Sequence, residues 1–216
     1  MVPLGTTDES PTIREDERKL IIKTVIDEAN NKVPVIVGTG TNSTEEVIHM
    51  SKEAQDLGAD GLLVVAPYYN KPTQEGLYLH FKAISESVDI PIIIYNIPGR
   101  TGVNIEVQTF VRLSQFDNIV AVKEASGNIA QVMDIIEALG NRLTVLSGND
   151  NLTLPIMALG GKGVVSVISN LLPRPLVELI ESALKGDFQR AKELHYRLLP
   201  LFKAAFIETN PILIYR

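Results

Sequence analysis

The chain has no cysteine, which excludes disulfides and thiolate metal sites. Histidine is scarce: His49, His80 and His195 are the full set, too scattered for a His-rich metal site. Glu46 and His49 do have helical ligand spacing. A di-iron bundle, however, needs two such pairs and further carboxylates, so no metal is expected. No apolar run approaches the ~20 residues of a membrane span. The first ten residues, "MVPLGTTDES", lack the basic and long apolar regions of a signal peptide. An excess of positive charge is missing too. The net charge of −6 argues against a nucleic-acid or anionic-membrane surface. These absences leave a soluble, cytoplasmic protein as the expectation.

What remains is 216 residues, 45% of them hydrophobic, enough for one domain with a real core. No low-complexity linker divides the chain, so residues 1–216 are read as a single domain. Short β-rich runs alternate with helical patterns. Strands are expected at 2–4, 33–38, 61–66, 91–96, 118–123, 143–148 and 163–168. Most are continuous apolar runs, as parallel strands covered on both faces read. Helices are expected near 14–31, 43–57, 74–88, 105–115, 128–139, 150–159, 173–185 and 187–206. Ser43 precedes "TEE", and Asn128 and Asp150 stand where N-caps belong.

This rhythm means repeated βα units, in either an open doubly wound sheet or a TIM (β/α)8 barrel. Polar residues help to choose. Thr6, Thr7, Tyr68, Tyr69, Tyr95, Lys123, Ser147, Gly148 and Ser166 all fall at or just after C-terminal strand ends. An open sheet gathers its site at one switch point. A barrel gathers contributions from every strand at one mouth, so the barrel is favoured. It is expected to be incomplete: about seven strands are visible where a barrel has eight.

Lys123 ends the apolar run "NIVAVK" and admits two readings. It is a strand-end lysine reaching water, or an amine nucleophile that forms a Schiff base with a carbonyl compound. A free lysine of pKa ≈ 10.4 is neutral in roughly one molecule in 2,500 at pH 7. Apolar surroundings raise that fraction. Tyr95 ends "PIIIYN" one strand earlier, as an aromatic lid on the core or as a proton shuttle. A phenol is a poor base unless neighbouring hydroxyls share the proton. Thr6, Thr7, Tyr68 and Tyr69 are candidates for such a relay. Arg100, in the loop "NIPGRTG", is a solvated arginine or a bidentate clamp on a carboxylate. "GTT" at 5–7 offers backbone N–H groups to a small anion. "GTGTNS" at 38–43 has serine in place of the third glycine of a dinucleotide fingerprint, which is rejected.

The blocks "GTTDES", "APYYNKPTQEGLYLHF", "YNIPGRTG", "VAVKEASGN", "LSGND" and "GGKGVVSVISN" together resemble the 4-hydroxy-tetrahydrodipicolinate synthase (dihydrodipicolinate synthase) family. Their order and spacing match across essentially the whole chain. The resemblance implies a TIM barrel and a lyase-type synthase of lysine and diaminopimelate biosynthesis. It would condense pyruvate with L-aspartate-4-semialdehyde, with no metal or organic cofactor. Lys123 would form the imine, and Tyr95 would relay protons with Thr6 and Tyr69. That last tyrosine would be inserted from a neighbouring subunit, so a homo-oligomer, dimer or tetramer, is expected. Thr7, Gly148 and Val165 would line the pyruvate site, and Arg100 would hold the semialdehyde carboxylate. A lysine-feedback site would comprise Ser10, Pro11, Glu15, Arg18, Asn42, Glu46, Tyr68 and Pro72. Glu15 and Arg18 stand where lysine-sensitive members often carry histidine, so weak or absent feedback is expected. Two alternatives share much of this pattern. One is a related pyruvate aldolase acting on a sugar acid, as in the N-acetylneuraminate lyases. The other is a catalytically weak relic serving as an assembly module.

The chain departs from the family pattern in places. Asp8 replaces a glycine, which adds a carboxylate beside the pyruvate site and removes a permissive backbone position. Ile212 stands where a proline is usual. The first βα unit and the C-terminal helices are expected to be missing. An opened barrel exposes strand edges and apolar surface. Association or strand exchange between protomers is the expected compensation.

Overall fold

A computed structural model describes residues 1–140 and 142–215. Its frame is a six-stranded parallel sheet in sequential order: β1 (Ile36–Gly38), β2 (Gly61–Val65), β3 (Ile92–Asn96), β4 (Ile119–Glu124), β5 (Thr144–Ser147) and β6 (Gly163–Val164). Every neighbouring pair is parallel. The helices between strands are α2 (Thr44–Asp56), α3 (Gln74–Ser85), α4 (Pro98–Thr101), α5 (Val107–Leu113), α6 (Ile129–Leu139) and α7 (Thr153–Ala158). α1 (Glu15–Ala29) precedes β1, while α8 (Pro173–Leu184) and α9 (Phe188–Ala204) follow β6. A strand order that never reverses has no switch point, so the doubly wound alternative is set aside and the sheet is of the barrel type.

The sequence explains the two-faced burial. Side chains alternate along each strand. Leu62, Val64, Ile92, Ile94, Val122 and Val145 join Leu77, Phe81, Phe110, Leu113, Val132 and Ile135 in the main core, under the helices. The opposite face carries Leu63 and Tyr95, packed with Ile36, Val65 and Ile93. Lys123 pairs in register with Tyr95, and Glu124 with Asn96. Lys123 and Tyr95 therefore share the inner face, while Asn96 and Glu124 point outward toward the helices.

Caps set several helix starts. Ser43 accepts from Glu46 N–H, Thr73 from Gly76 N–H, and Asn128 from Ala130 and Gln131 N–H. Asp150 does not cap α7, contrary to the sequence reading; its carboxylate is used elsewhere. The loop expected at Pro98–Gly99 is the one-turn helix α4, with Pro98 at its first position, where a missing N–H costs nothing.

The strand expected at 2–4 does not form. Residues 1–4 lie beside β1, whose Ile36 and Gly38 N–H groups donate to Met1 and Pro3 carbonyls at 2.8 and 2.9 Å. In an evenly spaced parallel ladder, the bond returned to the Ile36 carbonyl would come from Pro3, which has no N–H. The Gly5 N–H, one ladder step further, donates instead to Asp8 Oδ2 at 3.1 Å. Leu4, at φ 60°, turns the chain away. The last strand is also shorter than expected. After Val165 N–H donates to the Ser147 carbonyl at 2.9 Å, residues 166–168 turn out of the ladder.

Candidate active site

The C-terminal ends of the strands open into a cavity of about 820 Å³ lined by Thr6, Thr7, Tyr95, Arg100, Lys123, Gly148 and Val165, among others. Seven of the proposed catalytic and substrate contacts thus converge, from sequence positions more than a hundred residues apart. Tyr69 is not among them. It is 88% exposed and holds a strained backbone at φ 73°, unusual for a bulky residue.

Lys123 reaches the cavity from the end of β4. Its side chain is only 7% exposed, so the reading of a solvated strand end is overturned. The ammonium lies 3.8 Å from the centroid of the Tyr95 ring. Burial drives its pKa down to about 8; the charge of Asp150 opposes this, and that of Arg100 reinforces it. At that value roughly one molecule in eleven carries a neutral amine at pH 7. Gly148 makes room for the side chain. A Cβ there would lie 2.6 Å from the Ala125 Cβ and 3.2 Å from both Cγ and Cε of Lys123.

Tyr95 is buried, and desolvation raises its pKa; the nearby Thr6 side chain and Arg100 pull the other way. A phenol so placed holds its proton until a partner takes it. Arg100 is exposed and donates from Nη2 to the Asn210 carbonyl at 2.7 Å. Asn210 Nδ2 in turn donates to Thr7 Oγ1 at 3.0 Å, and the Tyr215 hydroxyl donates to the Thr7 carbonyl at 2.7 Å. The segment after α9 therefore closes one wall of the cavity. The Gly5 N–H offered to an anion by "GTT" is already taken by Asp8.

The matching family model is the dihydrodipicolinate synthetase family, over residues 1–216. The 4-hydroxy-tetrahydrodipicolinate synthase of Methanocaldococcus jannaschii is 54% identical over 213 residues, 98% of this chain and 73% of that protein. The chain belongs to the dihydrodipicolinate synthetase family. The crystal structure of dihydrodipicolinate synthase from Aquifex aeolicus has a TM-score of 0.96 at 54% identity, covering 98% of this chain and 72% of that one. The chloride-inhibited dihydrodipicolinate synthase from Acinetobacter baumannii, solved with pyruvate, has a TM-score of 0.97 at 45% identity, covering 99% and 74%.

Within this family member, the residues expected to form a feedback site do not line the cavity just described. Tyr68 lies 3.3 Å from Thr41 Oγ1, Asn42 accepts at its carbonyl from Asn70, and Glu46 donates its N–H to Ser43. Ser10 and Pro11 belong to a short 3-10 turn at Ser10–Thr12. Asp8 itself adopts no left-handed backbone; Leu4 and Glu9 on either side do. The ligand-type cluster containing His49 includes Glu15 and Glu53 rather than Glu46. The Lys19 ammonium already lies 2.9 and 2.8 Å from those two carboxylates.

Two buried acids were given no part in the site by the sequence reading. Glu124 follows the lysine and points to the opposite face. It accepts from Asn96 Nδ2 at 2.9 Å, Gln131 Nε2 at 3.1 Å and Ser126 N–H at 2.6 Å. Asn104 completes this network through Asn96 and Gln131. The clamp ties the ends of β3 and β4 together directly behind Tyr95 and Lys123. Asp150 is the second. The period-2 alternation that places Lys123 inward could have flagged Glu124; nothing local marks Asp150.

Proposed function

We propose that this chain condenses pyruvate with L-aspartate-4-semialdehyde to give 4-hydroxy-tetrahydrodipicolinate, a step of lysine and diaminopimelate biosynthesis. The observation that carries the reading is the buried amine of Lys123, held against Tyr95 in a largely apolar cavity and partly neutral near pH 7. A neutral amine adds to the ketone of pyruvate, and loss of water gives an iminium. That cation acidifies the pyruvate methyl group, and the resulting enamine attacks the aldehyde carbon. No metal is required, because the iminium is the electron sink. Attack by the semialdehyde's own amino group at the imine carbon then releases Lys123.

Each step moves protons, and Tyr95 with Thr6 is the group within the cavity suited to carry them. Thr7, Gly148 and Val165 would contact pyruvate. Arg100 would hold the semialdehyde carboxylate with the guanidinium face that Asn210 leaves free. Tyr69 would act in the site of a second copy of the chain. Its exposure and its strained φ support this, since strain persists where surroundings enforce it. A homo-oligomer is then the active form. Feedback by lysine is expected to be weak or absent; strong inhibition at submillimolar lysine in the turnover assay would contradict this.

The test is turnover. Wild-type protein should consume aspartate semialdehyde with pyruvate, and do so far faster than sugar aldehydes. Lys123→Arg should be inactive. Preference for a sugar aldehyde would overturn the substrate assignment, and full activity of Lys123→Arg would overturn the mechanism.

A further inference from the structure

Asp150 is almost fully buried, yet no part of the mechanism above uses it. It lies two residues beyond Gly148, whose backbone abuts the Lys123 side chain. Its carboxylate gathers donors from one turn. Ser166 Oγ donates to Oδ1, and the Val167 and Ile168 N–H groups donate to Oδ2 at 3.0 and 3.3 Å. Ser166 and Val167 line the cavity that holds Lys123. A carboxylate gripping two backbone N–H groups explains why the apolar run "GVVSVI" leaves the sheet after Val165. It also aims that turn at the site.

We propose that Asp150 is a positioning residue for the imine chemistry: it fixes the 166–168 turn as a cavity wall and is the counter-charge to the cation at Lys123 Nζ. This rests on the imine reading of Lys123. Other ionisable groups lining the lysine's cavity are Tyr95 on β3, Arg100 on α4, the Met1 amine and Asp8 in the N-terminal segment, and Tyr215 after α9. Glu124 on its own strand faces the opposite side. Tyr95 and Tyr215 keep their protons, Arg100 and the Met1 amine are not anions, and Asp8, turned to the Gly5 N–H, is not among the charges that act on the Lys123 ammonium. Asp150 is the anion that opposes the fall of the Lys123 pKa. Burial raises the pKa of Asp150 itself, while its three hydrogen bonds and Lys123 favour the anion. The same attraction would stabilise the iminium, which carries its positive charge on that nitrogen.

Asp150→Asn separates charge from shape, because the amide oxygen still accepts from Val167 and Ile168. The measurement is pH-dependent acylation of Lys123 by acetic anhydride, read by peptide mass spectrometry. It titrates the amine whether or not pyruvate reacts. Asp150→Asn should lower the midpoint by about one unit, giving roughly tenfold more neutral amine at pH 6. Ser166→Ala, which removes one hydrogen bond but keeps the charge, should leave the midpoint in place. An unchanged midpoint in Asp150→Asn would overturn the counter-charge, as would an equal shift in Ser166→Ala. Pyruvate with borohydride is applied to the wild type in parallel. Absence of an adduct there sinks the imine reading, and the midpoint comparison still decides the role of Asp150.

Discussion

Replacing Lys123 with methionine should stabilise the protein, and the gain should vanish at high pH. The folded chain lowers the Lys123 pKa from 10.5 to about 8. That shift corresponds to a penalty of about 3 kcal/mol for holding the ammonium in the cavity. Lys123→Met keeps an unbranched chain of similar length and removes the charge, so a gain of about 3 kcal/mol is expected. The sign in pH follows from proton counts. Below pH 8 both folded and unfolded wild type carry the proton, and the penalty applies in full. Between 8 and 10.5 the unfolded chain keeps it while the folded chain has released it, so wild-type stability climbs relative to the variant. Above 10.5 neither carries it. Urea unfolding followed by circular dichroism, at matched protein concentration and at pH 7, 9 and 10.5, measures the difference. Titration of the other lysines and tyrosines cancels between the two proteins. At pH 7 the variant should unfold about 6–12 °C higher in a thermal scan. A wild type more stable than Lys123→Met at pH 7 would refute the reasoning. So would a difference independent of pH.

Gly148→Ala should slow imine formation by about 100-fold, because its Cβ collides with Ala125 and the Lys123 stem; stopped-flow mixing with pyruvate reads the rate. Tyr69→Phe should lose most turnover while still trapping pyruvate on Lys123. Mixing it with Lys123→Met should restore part of the activity if Tyr69 serves a neighbouring copy, and restore nothing if each chain uses its own. Glu124→Leu should cost about 3 kcal/mol in urea unfolding, since the Asn96, Gln131 and Ser126 donors lose their acceptor.

Much of this arrangement could be read along the chain because it is locally encoded. β2 to β5 are apolar on both faces, so their residues announce strands without help from distant partners. Ser43 and Asn128 cap the helices that follow them for the same reason. The inward placement of Lys123 beside Tyr95 follows from strand alternation and register. The failures are non-local. "VPL" looks like a strand, but Pro3 cannot return a bond to β1 and Asp8 removes the next donor. Asp150 looks like a cap, but its partners lie sixteen to eighteen residues ahead. Arg100 looks like a free clamp, but it is tethered to Asn210 across 110 residues. Asp150 and Arg100 chose distant partners over the local ones their neighbours suggest, whereas Asp8 took locally the Gly5 N–H that a strand would have given to β1.

The central claim is that Lys123 is an imine-forming amine whose reactivity comes from burial. Treatment with pyruvate and borohydride at a series of pH values, followed by digestion and peptide mass measurement, tests it most directly. The account predicts one reduced pyruvate adduct per chain, on the peptide carrying Lys123, with a yield that rises through a midpoint near pH 8. No adduct would contradict it. So would adducts scattered over surface lysines, with a midpoint at the ordinary lysine value of about 10.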